Sequence, residues 1–562
     1  MIDALGPLAG ISPGFTLVAL GLIAALLPRA VRPVLAVAAP VLGLAQLMAL
    51  PAGPSGDIAI MGATVVTVEV TPQSLMFAGA LLTAAIIAGI YSLHERAGLP
   101  VTAALLYTGC AVGAVLAGDL PSFFVFFEIA TVGAAFLIWS GGTARSLPAG
   151  MRFAVINILA GVLLLEAFLL TYKATGSLEF FIADTATPAG VYLLLALGIK
   201  AAFPVLHAWL TDAYPESTPG GTVYLSVFSV SVAIHALLRF MPGEALLVPV
   251  GAVMVAFPVM LALLANDLRR VLCYGLISQI GLAVMAIGVG TPAALDAAAV
   301  LTVANMFGFL LMFMATGAVL YSTGTASADR LGGLAAEMPW TALFAVIGAV
   351  TVASLPVFAG GAAVPPLLTA VGTGGEPWVA ALALFGVAGV WAHAGLKVPA
   401  AAFFTARPAE LTPAAEAPLH MRLAMLLAAA SAIGIGALPY VEGPGVSIAD
   451  LVTHLQVLAF SLLIYAGARY WNLLPKDRES SLIDVDWLYR RLGPAIVGTV
   501  MAGTAAAYGA WQRFLVARIA GSMTRLYEAA GPHGGIARTW GAGLGVLWVA
   551  ILLVVMLLVS YL

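Results

Sequence analysis

The chain has 562 residues, of which 62% are hydrophobic and 9% charged, with a formal net charge of −3. Soluble domains carry about 25% charged residues, so this composition excludes a large soluble enzyme, and the slightly acidic balance excludes a basic nucleic-acid-binding surface. Long apolar runs without alternation exclude a transmembrane β-barrel and leave an all-α integral membrane protein.

A helix needs roughly 20 apolar residues to cross a hydrocarbon layer about 30 Å thick. On that measure the sequence predicts about fourteen core spans, with one or two more at the C-terminal end. Centres fall near residues 20, 42, 82, 108, 130, 161, 198, 230, 255, 281, 308, 348, 390, 430 and 460, and a last clear span covers about 540–561. No basic stretch precedes the first apolar run, which is therefore expected to be a retained span and not a signal peptide. Between the second and third spans, "DIAIMGATVVTVEVTP" alternates and is rich in β-branched residues, predicting a short hairpin near 57–70. Cys110 and Cys273 lie in apolar runs and read as small core residues, with no disulfide framework or metal site.

Two segments, near 200–220 and 355–366, interrupt apolar runs in different halves of the chain, the pattern of an internally duplicated transporter. Arg29, Arg32, Arg96, Arg145, Arg152, Arg269, Arg270, Arg330, Arg407, Lys476, Arg478, Arg490 and Arg491 fall near cytoplasmic ends if the N-terminus faces outward, against Lys173 and Arg239 on the other side. This bias predicts an outward N-terminus, in a membrane expected to be the bacterial inner membrane. Beyond residue 493, "AYGAWQRFLVARIAGSMTRLYEAAG" spaces Arg513, Arg518 and Arg525 among apolar neighbours, as an amphipathic helix at the membrane surface does. A helix packed along other subunits or its own bundle fits that spacing equally. The expected organisation is 1–118, N-terminal helices with the hairpin; 119–240 and 241–405, two repeats; 406–492, two further helices and a cytoplasmic loop; and 493–562, the amphipathic segment with a final span.

A charge at mid-bilayer costs a few kcal/mol or more, so each one asks for a reason. Glu128, in "LPSFFVFFEIATVGAAF", falls well inside the fifth span, with Asp119 at its mouth. Lys200 follows "VYLLLALGI" in the seventh. On neighbouring helices the two would stabilise each other, and a proton or cation arriving nearby would alter that attraction. A static ion pair, or a lysine snorkelling to the interface, is the plainer alternative. Pro204 removes a helix hydrogen bond four residues after Lys200. His207 lies two turns beyond Lys200 and is able to exchange a proton near neutral pH. A broken helix at membrane depth is tolerated where it lines a hydrated cavity, so this segment reads as a proton relay. Pro356 marks the matching break in the second half. "GVWAHAGLKVPAAAFF" puts His393 and Lys397 at i and i+4, a second ionisable pair. Tyr274, Ser278, Gln279, Thr302 and Asn305 are polar residues able to line a water path or to hydrogen-bond between helices, the latter being the commoner use of such side chains. Glu166 is a weaker candidate in the sixth span. Walker, dinucleotide-binding, CxxC and HExxH motifs are absent from the sequence, so no cofactor, metal or catalytic centre is expected on this chain and an ion path is favoured.

"GIKAAFPVLHAWLTDAYPESTPGGTVYLSVF" resembles the broken-helix signature of the antiporter-like proton-channel family, found in the membrane subunits of respiratory complex I, Mrp-type Na⁺/H⁺ antiporters and membrane-bound hydrogenases. "LANDLRRVLCYGLISQIGLAVMAIG" resembles the family's tenth span and "VTVASLPVFAGGAAVP" its broken twelfth. The PESTPGG continuation and "IDVDWLYRRLGP" are most similar to the D-type subunits of Mrp antiporters. The resemblance implies fourteen core helices in two inverted five-helix repeats, with helices 7 and 12 broken and a line of buried charges between. Glu128, Lys200 and His207 match the family's ionisable positions. Ser231, Phe309 and Val364 stand where relatives carry ionisable side chains, leaving the second half atypical. The implied function is proton translocation, with Na⁺/H⁺ antiport a further option, inside a multisubunit complex in the lipid bilayer. The alternatives are a non-conducting structural paralogue, or a membrane subunit of a redox-driven or inorganic-carbon-uptake complex.

Overall fold

The computed structural model describes residues 11–60, 63–95, 98–441, 448–471, 484–485, 487, 491–531 and 541–561. Arg96, Lys476, Arg478 and Arg490, four of the loop charges behind the expected orientation, lie outside these residues. The chain divides into two compact units, Met1–Asp484 and Val485–Leu562.

The first unit opens with α1 (Pro13–Leu26) and α2 (Arg32–Ala49), then an antiparallel hairpin of β1 (Gly53–Ile60) and β2 (Ala63–Val70). The hairpin begins earlier than expected: the register runs from Gly53 opposite Val70 to Ile60 opposite Ala63. Four helices follow: α3 (Pro72–Tyr91), α4 (Gly98–Leu116), α5 (Leu120–Trp139) and α6 (Ser146–Thr175). The middle of the unit holds α7 (Pro188–Lys200), α8 (Ala208–Ala213), α9 (Pro219–Leu225), α10 (Phe228–Phe240), α11 (Leu247–Leu264), α12 (Leu268–Val289) and α13 (Pro292–Thr323). It closes with α14 (Pro339–Val352), α15 (Ala359–Gly374), α16 (Pro377–Val390), π-helical turns at Trp391–Lys397 and Ala400–Phe404, α17 (Leu419–Val441) and α18 (Ile448–Tyr470).

Local chemistry explains many of these starts. Thr71, Thr187, Thr218 and Thr291 each cap a helix with the side-chain oxygen, and a proline follows at the first helical position. A cap satisfies one orphan N–H, and proline loses nothing where its missing N–H is not needed. Asp119 caps α5 through Ser122 N at 2.8 Å and also accepts Val66 N at 2.5 Å, tying the hairpin to the mouth of that helix. α12 is buried continuously from Val271 to Gly288, the mark of a helix packed on every side. It lies close to α11 because a Cβ on Gly281 would stand 2.9 Å from the Gly251 carbonyl oxygen, a space that hydrogen alone fits.

Among the described residues eleven helices are long and apolar enough to cross a membrane, and five shorter apolar helices accompany them. Two of the short ones, Pro188–Lys200 and Pro339–Val352, are cut off by the two breaks.

The second unit contains α19 (Gly493–Ala530) and α20 (Ala542–Tyr561). At 1.5 Å per residue the 38-residue α19 is roughly 57 Å long, almost twice the hydrocarbon thickness. With Arg513, Arg518 and Arg525 along it, α19 is unsuited to a single span. α20 has the length and apolarity of one.

Candidate functional site

The two breaks share one backbone design. In the first, Ala202 and Val205 adopt left-handed φ of 59° and 71°; in the second, Ser354 and Val357 adopt 66° and 71°. Phe203 N donates to Gly198 O at 2.9 Å and Leu355 N to Val350 O at 3.0 Å, so the closing turns correspond as well. A left-handed β-branched residue costs about 1–3 kcal/mol and persists only where its surroundings hold it. Pro204 and Pro356 precede the strained valines and stop the helix from running on. In this register Lys200 corresponds to Val352. Val364, where the missing charge was expected, lies within α15 beyond the break.

Lys200 is the last residue of α7 and is buried. Three features make its ammonium tolerable. It lies at the negative end of the α7 dipole, donates a hydrogen bond to Thr131 Oγ1 on α5, and stands 4.7 Å from the Phe127 ring centroid. Glu128 lies close enough for its charge to act on Lys200, although among the described residues no ion pair within 4.0 Å joins the two. Glu128, half-buried, sits against Gly161 of α6, whose missing side chain makes room for the carboxylate, and its Oε1 has no hydrogen-bond partner. Glu128 and Thr131, the residue that Lys200 contacts, occupy successive turns of α5.

His207 is the N-cap residue of α8, just past the break, and is buried. Its Nε2 lies 3.1 Å from Asp484 Oδ1, and the Tyr274 hydroxyl donates to Asp484 Oδ2 at 2.5 Å. Asp484, which its local sequence does not single out as a site residue, therefore bridges the first break and α12. Its only sequence signal is its place in "IDVDWLYRRLGP", a stretch that carries family resemblance and no chemical motif. Trp209 spans the same break, donating Nε1–H to Ile199 O at 2.8 Å.

The second half is quieter. Val352 ends α14 as Lys200 ends α7, and its carbonyl accepts from Gln279 Nε2 at 3.2 Å. A neutral amide thus serves the helix end that a cation serves in the first half. Ser278 donates to Val255 O at 3.0 Å, and Thr302 to Ala298 O at 2.7 Å. Asn305 and Phe309 are buried on α13. Ser231 bonds its own helix at Val227 O, 2.5 Å away. The pairing of His393 with Lys397 is not realised as a direct contact: Lys397 Nζ donates to Leu263 O at 2.7 Å and Ala265 O at 2.8 Å, at the C-terminal end of α11. His393 is fully buried beside Gly275, and neither ring nitrogen has a hydrogen-bond partner.

The loop after α3 lies at the end away from the hairpin. There Glu95 accepts the Gly220 N–H at 3.2 Å, and His94 Nδ1 stands 3.2 Å from His420 Nε2. Burial pushes the Glu95 carboxyl up, and burial together with neighbouring His420 pulls His94 below its ordinary value.

Residues 117–388 match the family model described as NADH:quinone oxidoreductase/Mrp antiporter, transmembrane. That stretch, just under half of the chain, is similar to the family. The chain is 29% identical over 269 residues to the D subunit of the Na(+)/H(+) antiporter of Alkalihalophilus pseudofirmus, a match covering 44% of this chain and 54% of that protein. The chain thus spans about half the length of that curated relative. It is 30% identical over 392 residues to the uncharacterized protein Rv0083 of Mycobacterium tuberculosis, covering 63% of this chain and 61% of that one. A chain from the structure of the membrane-bound sulfane sulfur reductase, an archaeal respiratory membrane complex, superposes with a TM-score of 0.69 at 20% identity. That match covers 97% of this chain and 99% of the other and shows a common fold.

Proposed function

We propose that this chain is a proton-translocating membrane subunit of a multisubunit Mrp-like or complex I-like assembly. Glu128 and Lys200 are its charge switch, and His207 with Asp484 exchanges protons at the break. The carrying observation is the buried Lys200 ammonium at the end of a broken helix, with an under-bonded carboxylate one turn from its hydroxyl partner Thr131. Protonation of Glu128 removes a charge that attracts Lys200, and deprotonation restores it. Such a pair converts proton arrival into a change of side-chain position. Coupling to Na⁺ would make the chain part of an antiporter, as the relative from Alkalihalophilus pseudofirmus is. The membrane orientation assigned to it is N-terminus outward, in the bacterial inner membrane.

A second reading is a structural paralogue that keeps the fold and conducts poorly. It is favoured by Val352 opposite Lys200 and by the neutral Gln279 cap.

The test uses the intact complex in proteoliposomes with a pH-sensitive dye. Glu128→Gln and Lys200→Ala are each expected to lower proton flux at least roughly tenfold while partner subunits still co-purify. Unchanged flux in both assembled variants refutes the transport reading.

A further inference from the structure

His235 is a buried imidazole that the Glu128–Lys200–His207 site does not use. It lies on α10 one turn beyond Ser231, is 2% exposed, and its Nδ1 has no hydrogen-bond partner. The Phe77 ring packs against it with centroids 5.1 Å apart. An unsatisfied buried polar group costs about 1–3 kcal/mol, and an apolar residue in its place would avoid that cost.

The ring borders a cleft of about 640 Å³ that is also lined by Thr71, Gln73, Arg239 and Asp296. This cleft lies on the hairpin face. Thr71 follows β2 directly, and Arg239 is held to the same side by Ala117 O at 2.9 Å and by an ion pair with Glu69 of β2. Asp296 is exposed on α13. The charged groups around His235 are therefore Arg239, one turn along its own helix and neutralised by Glu69, and Asp296 across the cleft.

A second, small cavity lies on the inner side of α10. Its lining includes Tyr107, Phe127, Lys200, Ser229 and Val232, and its volume of about 10 Å³ is near that needed to seat one water molecule. Tyr107 Oη and Ser229 Oγ, 2.6 Å apart, form its polar edge. Val232 precedes His235 by three residues, roughly 4.5 Å along the helix axis. α10 thus borders both cavities, one touching Lys200 and the other open to the hairpin face, and His235, which lines the second, stands one turn beyond Val232, which lines the first.

We propose that protons pass between Lys200 and the hairpin face through His235, along a lateral route bounded by α10 and ending in the cleft at Asp296. The imidazole gains a proton at one ring nitrogen and loses another from the second, so charge and atoms balance with water as the carrier. This inference rests on Lys200 being part of the ion path. It supplies an exit that does not cross the second half, where Val352 and Phe309 offer no titratable group.

The experiment again measures flux through the intact complex in proteoliposomes. His235→Gln is expected to lower flux about tenfold or more. Val300→Cys, on the cleft wall, is expected to lose flux when a charged, membrane-impermeant thiol reagent is added from the hairpin side. Cys110 and Cys273 are buried and do not compete for the reagent. If Glu128→Gln abolishes flux and His235→Gln leaves it intact, the lateral route is overturned and the transport reading stands. If neither changes flux, both fall. Should His235→Gln fail to assemble, the thiol arm decides: modified Val300→Cys complexes that still conduct overturn the route.

Discussion

Replacing Asp484 tests whether the first break is held by a charged partner from beyond the last core helix. The carboxylate accepts from Tyr274 Oη at 2.5 Å and contacts His207 Nε2 at 3.1 Å, and the His207 and Asp484 side chains are only 1% and 5% exposed. Interhelical hydrogen bonds in membrane proteins average about 0.6 kcal/mol in double-mutant cycles. Bonds to a charged group contribute about 1.5–3 kcal/mol. The burial of both side chains and the short phenol contact favour the second figure. A cycle of Asp484→Ala, Tyr274→Phe and the double variant should therefore give a coupling of about 1.5–3 kcal/mol, with the same range for Asp484 and His207. Reversible unfolding in mixed micelles supplies the free energies. Asp484→Asn, which keeps the shape and loses the charge, should recover less than half of the coupling. A coupling at or below about 0.6 kcal/mol would refute the assignment of a charged buried bridge and leave an ordinary interhelical hydrogen bond in its place.

Two further outcomes follow from other contacts. Lys397 binds the carbonyls ending α11, so Lys397→Met should destabilise the protein by about 1–2 kcal/mol while leaving flux near normal at permissive temperature; lost flux with unchanged melting would return Lys397 to the ion path. His94 is held below its ordinary value of 6.5 by burial and by neighbouring His420, so the folded protein binds fewer protons there than the unfolded chain. Its contribution is complete above about pH 6.5 and is lost as the pH falls below that value. Removing the imidazole with His94→Gln should flatten the fall in melting temperature between about pH 6.5 and 5; an unaltered slope excludes His94 as its source.

Much of the site was legible in sequence because its signals are local. Lys200, Pro204 and His207 sit within eight residues of one another, and a charge, a helix breaker and an imidazole in an apolar run need no partner to be conspicuous. The matching break at Pro356 was visible for the same reason. Its register was not: Val352 was revealed as the counterpart of Lys200 by the paired left-handed residues, since backbone angles leave little trace where valine and serine, not glycine, adopt them.

Composition and apolar run length by themselves determined that the chain is a helical membrane protein with two interrupted spans, because the cost of burying backbone and charge in hydrocarbon acts on every segment separately. The tertiary structure decided which polar groups meet. Asp484 reaches His207 across 277 positions of sequence, Glu128 packs against Gly161 without closing an ion pair on Lys200, and Lys397 serves the end of α11 instead of His393. Each depends on how helices distant in sequence pack, and a buried charge takes whichever partner that packing brings within hydrogen-bond reach.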